Sequence, residues 1–143
     1  MEIVIAIIVG VVIWYVLKAK KTVNETGVNP TLNNASYAYN IVGEQSYQNN
    51  LKKIAGPKEE ESKFFKCQAK VSSEPFNQYD KNAIKVEING LVVGYLSKSE
   101  AAKLAGKVVN KTVPAVIDGG WDDHDSEGSY GVKLAINSVN DLI

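Results

Sequence analysis

The chain's densest polar chemistry lies in one short run, Asn77-Gln78-Tyr79-Asp80-Lys81-Asn82, within EPFNQYDKNAIKVEINGLVVGYL (Glu74–Leu96). A simple turn into a strand needs one or two Asx side chains to satisfy its backbone. Here a phenol ring, a carboxylate, an ammonium group and several side-chain amides arrive together. Each has a use toward one class of ligand. An aromatic face stacks on an unpaired base, and cations follow the sugar-phosphate backbone. A carboxylate or amide accepts the proton of a hydroxyl group. The same residues also admit a purely structural use: Asp80 capping the turn, Asn82 satisfying loop backbone, Tyr79 packing over a rim.

Other constellations carry less. Asp118, Asp122, Asp123, His124, Asp125 and Glu127 form one acidic loop, in which Asp123-x-Asp125-x-Glu127-Gly128 copies the opening of a calcium-binding loop. Its twelfth position is Leu134, which has no carboxylate, so a solvated hairpin loop is expected. One cysteine, Cys67, and one histidine, His124, exclude an internal disulfide and a zinc site built from Cys and His alone. Asp80 and Glu87 lack the lysine that would complete a nuclease strand pair. No nucleophile–base pair, Walker loop or dinucleotide fingerprint occurs, and neither catalysis nor a cofactor is expected. All 16 cations are lysines, balanced by 16 acids. Without the forked guanidinium, sequence-specific reading of a DNA major groove is not expected.

Periodicity predicts the elements that must position these groups. YNIVG reads as a short strand ending in Gly43, and Ser46 is placed to cap a helix carrying Leu51 and Ile54 that stops at Gly56-Pro57. Phe65, Cys67, Ala69 and Val71 alternate with polar residues as a half-buried strand, and Ile84, Val86 and Ile88 do the same. Asn89-Gly90 is the preferred type I′ pair, returning Leu91–Leu96 as the partner strand. Ser97-Lys98-Ser99-Glu100 is a capping box for a short helix ending at Gly106. Val113, Ala115 and Ile117 suggest another strand, and Tyr130, Val132, Leu134 and Ile136 the last. The fold class expected is mainly β with two short helices, closing into a small OB-like barrel over residues 39–143.

The N-terminus is a different material. An apolar run from Ile3 to Leu17 is closed by Lys18, Lys20 and Lys21, with Trp14 and Tyr15 near that end. At ~1.5 Å per residue it spans roughly 23 Å, enough for a thin bilayer with lysine snorkelling. A signal peptide would carry its positive charge first and a small-residue cleavage site afterwards, and a core helix would show a polar face. The reading is a single-pass transmembrane anchor (1–21) that places the C-terminal side in the cytoplasm, with the lipid bilayer as partner through residues 3–17. Residues 22–38 read as a flexible linker.

Three segments together resemble the HIRAN domain family: IVGEQSYQNNLKKI, EPFNQYDKNAIKVEINGLVVGYLSKSEAAKL, and GGW followed after a variable loop by GSYGVKLAI, covering roughly Tyr39 to Ile136. The resemblance implies a modified OB-like barrel that grips the 3′ end of single-stranded DNA. It also implies possible helicase or nuclease partners acting in trans, since the fused modules of other members are absent. Tyr79 and Asp80 match the family's Tyr-Asp pair, one to stack and one to meet the terminal hydroxyl. Asn77 would touch a base edge or shape the loop. Tyr95 takes the place of a polar ring after the hairpin glycine. Tyr130 is a second candidate stacking platform, and Lys81 and Lys98 are candidate phosphate contacts. One departure stands out. Where DNA-end-binding members place a basic or aromatic pair, this chain has Gln45 and Ser46, followed by Tyr47. A small electrostatic share of affinity is therefore expected. The alternatives are a protein-interaction or structural domain of the same fold without DNA binding, and an accessory domain of a helicase or nuclease.

Overall fold

The alternation of Phe65, Cys67, Ala69 and Val71 becomes the inner face of the longest strand. In the computed structural model, which describes residues 36–143, that strand is β2 (Lys63–Ser73). Ala69 and Val71 are fully buried, whereas Phe65, near the strand's start, is 39% exposed. The other strands are β1 (Tyr39–Asn40), β3 (Ile84–Ile88), β4 (Leu91–Tyr95), β5 (Asn110–Gly119) and β6 (Tyr130–Leu134). All pair antiparallel in the order β1-β6-β5-β2-β3-β4. The sheet curls into a half-barrel whose concave side holds one core, including Val86, Ile88, Val93, Ile117, Val132 and Leu134. Each such side chain contributes about 1.5–3 kcal/mol by leaving water. Helix α1 (Gln48–Ala55) adds the fully buried Leu51, and α2 (Lys98–Ala102) adds Ala101.

Two local features make the curl. Asn89 and Gly90, at φ 52° and 78°, form the expected tight turn between β3 and β4. Within that pair the register slips between Val86 and Glu87, so Val86 faces Gly94 while Glu87 faces Val92. Such a bulge bends and twists a strand. Immediately beyond it, Val42 bridges Tyr95, with backbone bonds of 2.8 and 2.9 Å in the two directions. Because β1 lies at one edge of the sheet and β4 at the other, this single bridge ties the two edges together. Gly94 permits it: a Cβ there would lie 2.7 Å from the Val42 carbonyl oxygen and 2.8 Å from Ile41 Cδ1. Gly94→Ala is expected to cost about 1–3 kcal/mol by overpacking this seam. Urea unfolding measures it, and an unchanged midpoint would contradict the account.

The Gly-Gly-Trp segment has an equally physical origin. Gly119 and Gly120 both take positive φ, 68° and 64°. A Cβ at Gly119 would overlap the Ser129 carbonyl, and one at Gly120 would overlap the Tyr130 ring. Trp121 in turn covers Gly128 and donates from its indole nitrogen to Ser126 Oγ at 3.0 Å. In the acidic loop, Asp123 Oδ1 accepts the backbone N–H groups of Asp125 (2.8 Å) and Ser126 (2.7 Å), and Glu127 pairs with Lys58 at 2.6 Å. These are the bonds of a closed turn.

Two expected caps differ. Ser46 does not cap α1; it lies inside a 3₁₀ turn, Glu44–Tyr47, that leads into the helix from a left-handed Gly43. Gln48 anchors the entry instead. Its amide exchanges two hydrogen bonds with the Tyr130 backbone, both 2.9 Å, as a neighbouring strand residue would. The Ser97 box is half made: Ser97 Oγ accepts from the Glu100 N–H at 3.3 Å, while the Glu100 carboxylate takes Tyr39 and Lys103. A full capping box occurs at Ser138 and Asp141, before a last 3₁₀ turn, Val139–Leu142.

The expected anchor, and the linker up to residue 35, lie outside the described residues. Among the described residues no helix is long and apolar enough to cross a membrane. Tyr37, expected in the linker, packs edge-on against Phe64, with ring centres 5.8 Å apart.

Candidate functional site

The loop from Glu74 to Ala83 builds itself from its own side chains. Asn77 Oδ1 accepts the backbone N–H groups of Tyr79 (2.9 Å) and Asp80 (3.0 Å), while its amide nitrogen donates to Glu74 Oε1 at 2.6 Å. Asp80 Oδ1 accepts the Asn82 N–H at 2.9 Å. Backbone bonds from Glu74 to Ala83 and from Ala83 to Asp80 close the base. Asn77 is therefore a loop-shaping residue with its oxygen occupied. Asp80 spends one oxygen on the turn; its second has no hydrogen-bond partner among the described residues.

This bonding holds two aromatic rings in water. Tyr79 is 88% exposed, and Phe76, which the sequence pattern did not single out, is 97% exposed. A phenylalanine normally goes inside, whereas this one stands in solvent on an internally bonded loop.

The seam between the sheet edges supplies the neighbouring wall. Tyr95 donates from its hydroxyl to Glu74 Oε1 at 3.2 Å, and its ring centre lies 6.4 Å from that of Tyr47. Burial, with Tyr47 and Glu74 beside it, pushes the Tyr95 phenol up to about 12, so it is a neutral donor at physiological pH. Tyr47, Tyr95, Glu74 and the Asn77–Asp80 turn thus form one connected surface. Gln45 and Ser46 are exposed on the same 3₁₀ turn as Tyr47. Glu74, the first residue of the quoted stretch, is the link that sequence reasoning missed.

The remaining candidates fall elsewhere. Lys81 walls a groove of about 1060 Å³ between the loop, the end of β2 and the segment Leu104–Asn110. Lys98 is exposed at the start of α2 and forms no ion pair among the described residues. Tyr130 is not a stacking platform. It is 3% exposed, and its hydroxyl donates to the Gly56 carbonyl at 2.6 Å. The alternation with Val132 and Leu134 already placed it on the inward face. Cys67 is a core-edge residue, its thiol pushed up to about 11 by burial.

Glu44 opens the 3₁₀ turn beside Gly131 and Asp118. Burial above all raises its carboxyl pKa, with Asp118 adding to the rise, against backbone N–H groups that favour the charge. A folded pKa above the unfolded one stabilises in acid, and that contribution is lost as pH rises through the shifted value. Glu44→Gln is therefore expected to melt higher than the wild type at pH 7 and level with it near pH 4. A lower melting temperature at pH 7 would contradict this.

No family model, curated protein or solved structure matches the chain.

Proposed function

We propose that the chain is a non-catalytic module that takes the 3′ end of single-stranded DNA at the Asn77–Lys81 loop. In this reading the curled sheet is an OB-like barrel of the HIRAN kind, held at a membrane by the apolar N-terminal run. The supporting observation is the pairing on one hydrogen-bonded loop of a solvated ring, Tyr79, with a carboxylate, Asp80, that has one free oxygen among the described residues. A loop already fixed by its own bonds loses little freedom on binding. Phe76 joins Tyr79 as a second stacking surface, and the Tyr47–Tyr95 wall with Glu74 borders the terminal nucleotide.

Asp80 distinguishes this reading from stacking alone. A hydrogen bond to a charged acceptor is worth about 1.5–3 kcal/mol. By fluorescence anisotropy, the full chain in mild detergent is expected to bind a labelled decathymidine strand with a free 3′-hydroxyl at least about tenfold more tightly than one ending in 3′-phosphate. Asp80→Asn keeps the turn acceptor and should collapse that ratio toward one. Equal affinity for the two ends in the wild type would refute the reading.

A further inference from the structure

The groove beside the loop combines apolar walls, among them Ile84, Leu104 and Val108, with cationic side chains. Three lysines wall it, Lys70 from β2, Lys81 from the loop and Lys107 from the segment after α2, and no Asp or Glu does. None of the three forms an ion pair among the described residues. Glu87 lies opposite Lys70 in the β2–β3 register, but its carboxylate is held by Lys85 at 2.7 Å. Ser72, Asn82 and Asn110 add hydroxyl and amide groups to the same walls.

The fold holds seven of the 16 acids at the far end of the sheet from this groove. A bridge between Glu59 and Trp121 gathers Glu59–Glu61 and the Asp122–Glu127 loop where β2 begins and β5 ends. The groove lies where β2 ends and β5 begins, opposite in register, with Ser72 facing Asn110. Along the 11 residues of β2 the two ends are about 33 Å apart. That exceeds the Debye length of about 8 Å at physiological salt, so those seven do not neutralise the groove; Glu74 and Asp80 flank it in the chain, Glu74 bonded to Asn77 and Tyr95 and Asp80 to the Asn82 N–H.

We infer that this groove carries the phosphates of the bound single strand away from its terminus. The inference rests on the proposed function and extends it. Lys81 and Asn82 follow Asp80 directly in the chain and wall the groove, so a strand ending at Asp80 has an entrance there. The groove's volume of about 1060 Å³ lies at the upper end of the range of about 300–1,000 Å³ typical of small-molecule clefts.

The test is salt-dependent binding of a labelled hexadecathymidine strand by the full chain and by Lys70→Gln/Lys81→Gln/Lys107→Gln. Three phosphate contacts on a single strand predict a log–log salt slope smaller by about 2 in the triple variant. They also predict at least tenfold weaker binding at low salt, with the preference for a free 3′ end retained. Lys52→Gln/Lys53→Gln/Lys66→Gln removes the same charge elsewhere and should leave both quantities near wild type. An unchanged slope in the groove variant, with end preference intact, overturns the groove and spares the proposed function. Equal losses in the two variants also overturn the groove, because net charge alone would then account for them. Tighter binding of a duplex of the same length, lost in the groove variant, overturns the single-strand assignment. Wild-type protein that binds neither strand nor duplex removes the proposed function and the groove together.

Discussion

Tyr130→Ala is expected to lower unfolding free energy by about 3–5 kcal/mol, as for a large buried ring removed from a packed core. Its ring packs against Gly120, its backbone is paired with the Gln48 amide, and its hydroxyl satisfies the Gly56 carbonyl just past α1. Truncation leaves a cavity and removes that carbonyl's side-chain donor. Tyr130→Phe keeps the ring and should cost only about 0.5–1.5 kcal/mol, the worth of one hydrogen bond. Urea unfolding of the two variants separates packing from hydrogen bonding. A loss below about 1.5 kcal/mol for Tyr130→Ala would contradict the assignment of Tyr130 to the core.

The opposite profile is expected for Phe76→Ala/Tyr79→Ala. Both rings are solvated, so stability should change by no more than about 0.5 kcal/mol. Stacking on bases is worth about 1–3 kcal/mol per ring, so the pair should weaken strand binding by about 2–6 kcal/mol, at least thirtyfold. Anisotropy titration and a thermal melt on the same preparation measure both quantities. A variant that melts several degrees lower with unchanged affinity would show that the rings serve the fold.

Much of the fold was legible because its signals are local. The alternation in β2 and β3 and the Asn89-Gly90 turn depend on neighbours in sequence, and each element formed where expected. The entry to α1 was not legible, since Gly43 and the Gln48–Tyr130 bonds replace the cap that Ser46 suggested. Long-range closure was hidden too: nothing in the residues around Val42 announces a bridge to Tyr95. Half of the candidate site was visible in one contiguous run. The remainder depends on approach in space, with Glu74 joining Tyr95 to Asn77, and Lys70 and Lys107 meeting Lys81 from distant segments. Phe76 was passed over because an isolated phenylalanine ordinarily signals core.

The central claim is that the Asn77–Lys81 loop is where the strand's end docks. An amide chemical-shift map of the full, isotope-labelled chain in micelles, titrated with a short thymidine strand bearing a free 3′-hydroxyl, addresses that claim directly. The largest changes are expected at Tyr79, Asp80 and Lys81, with smaller ones at Tyr47 and Tyr95, while Glu59–Glu61 and Trp121 stay fixed. Shifts confined to the Trp121 end of the sheet, or no shifts at saturating strand, would contradict it.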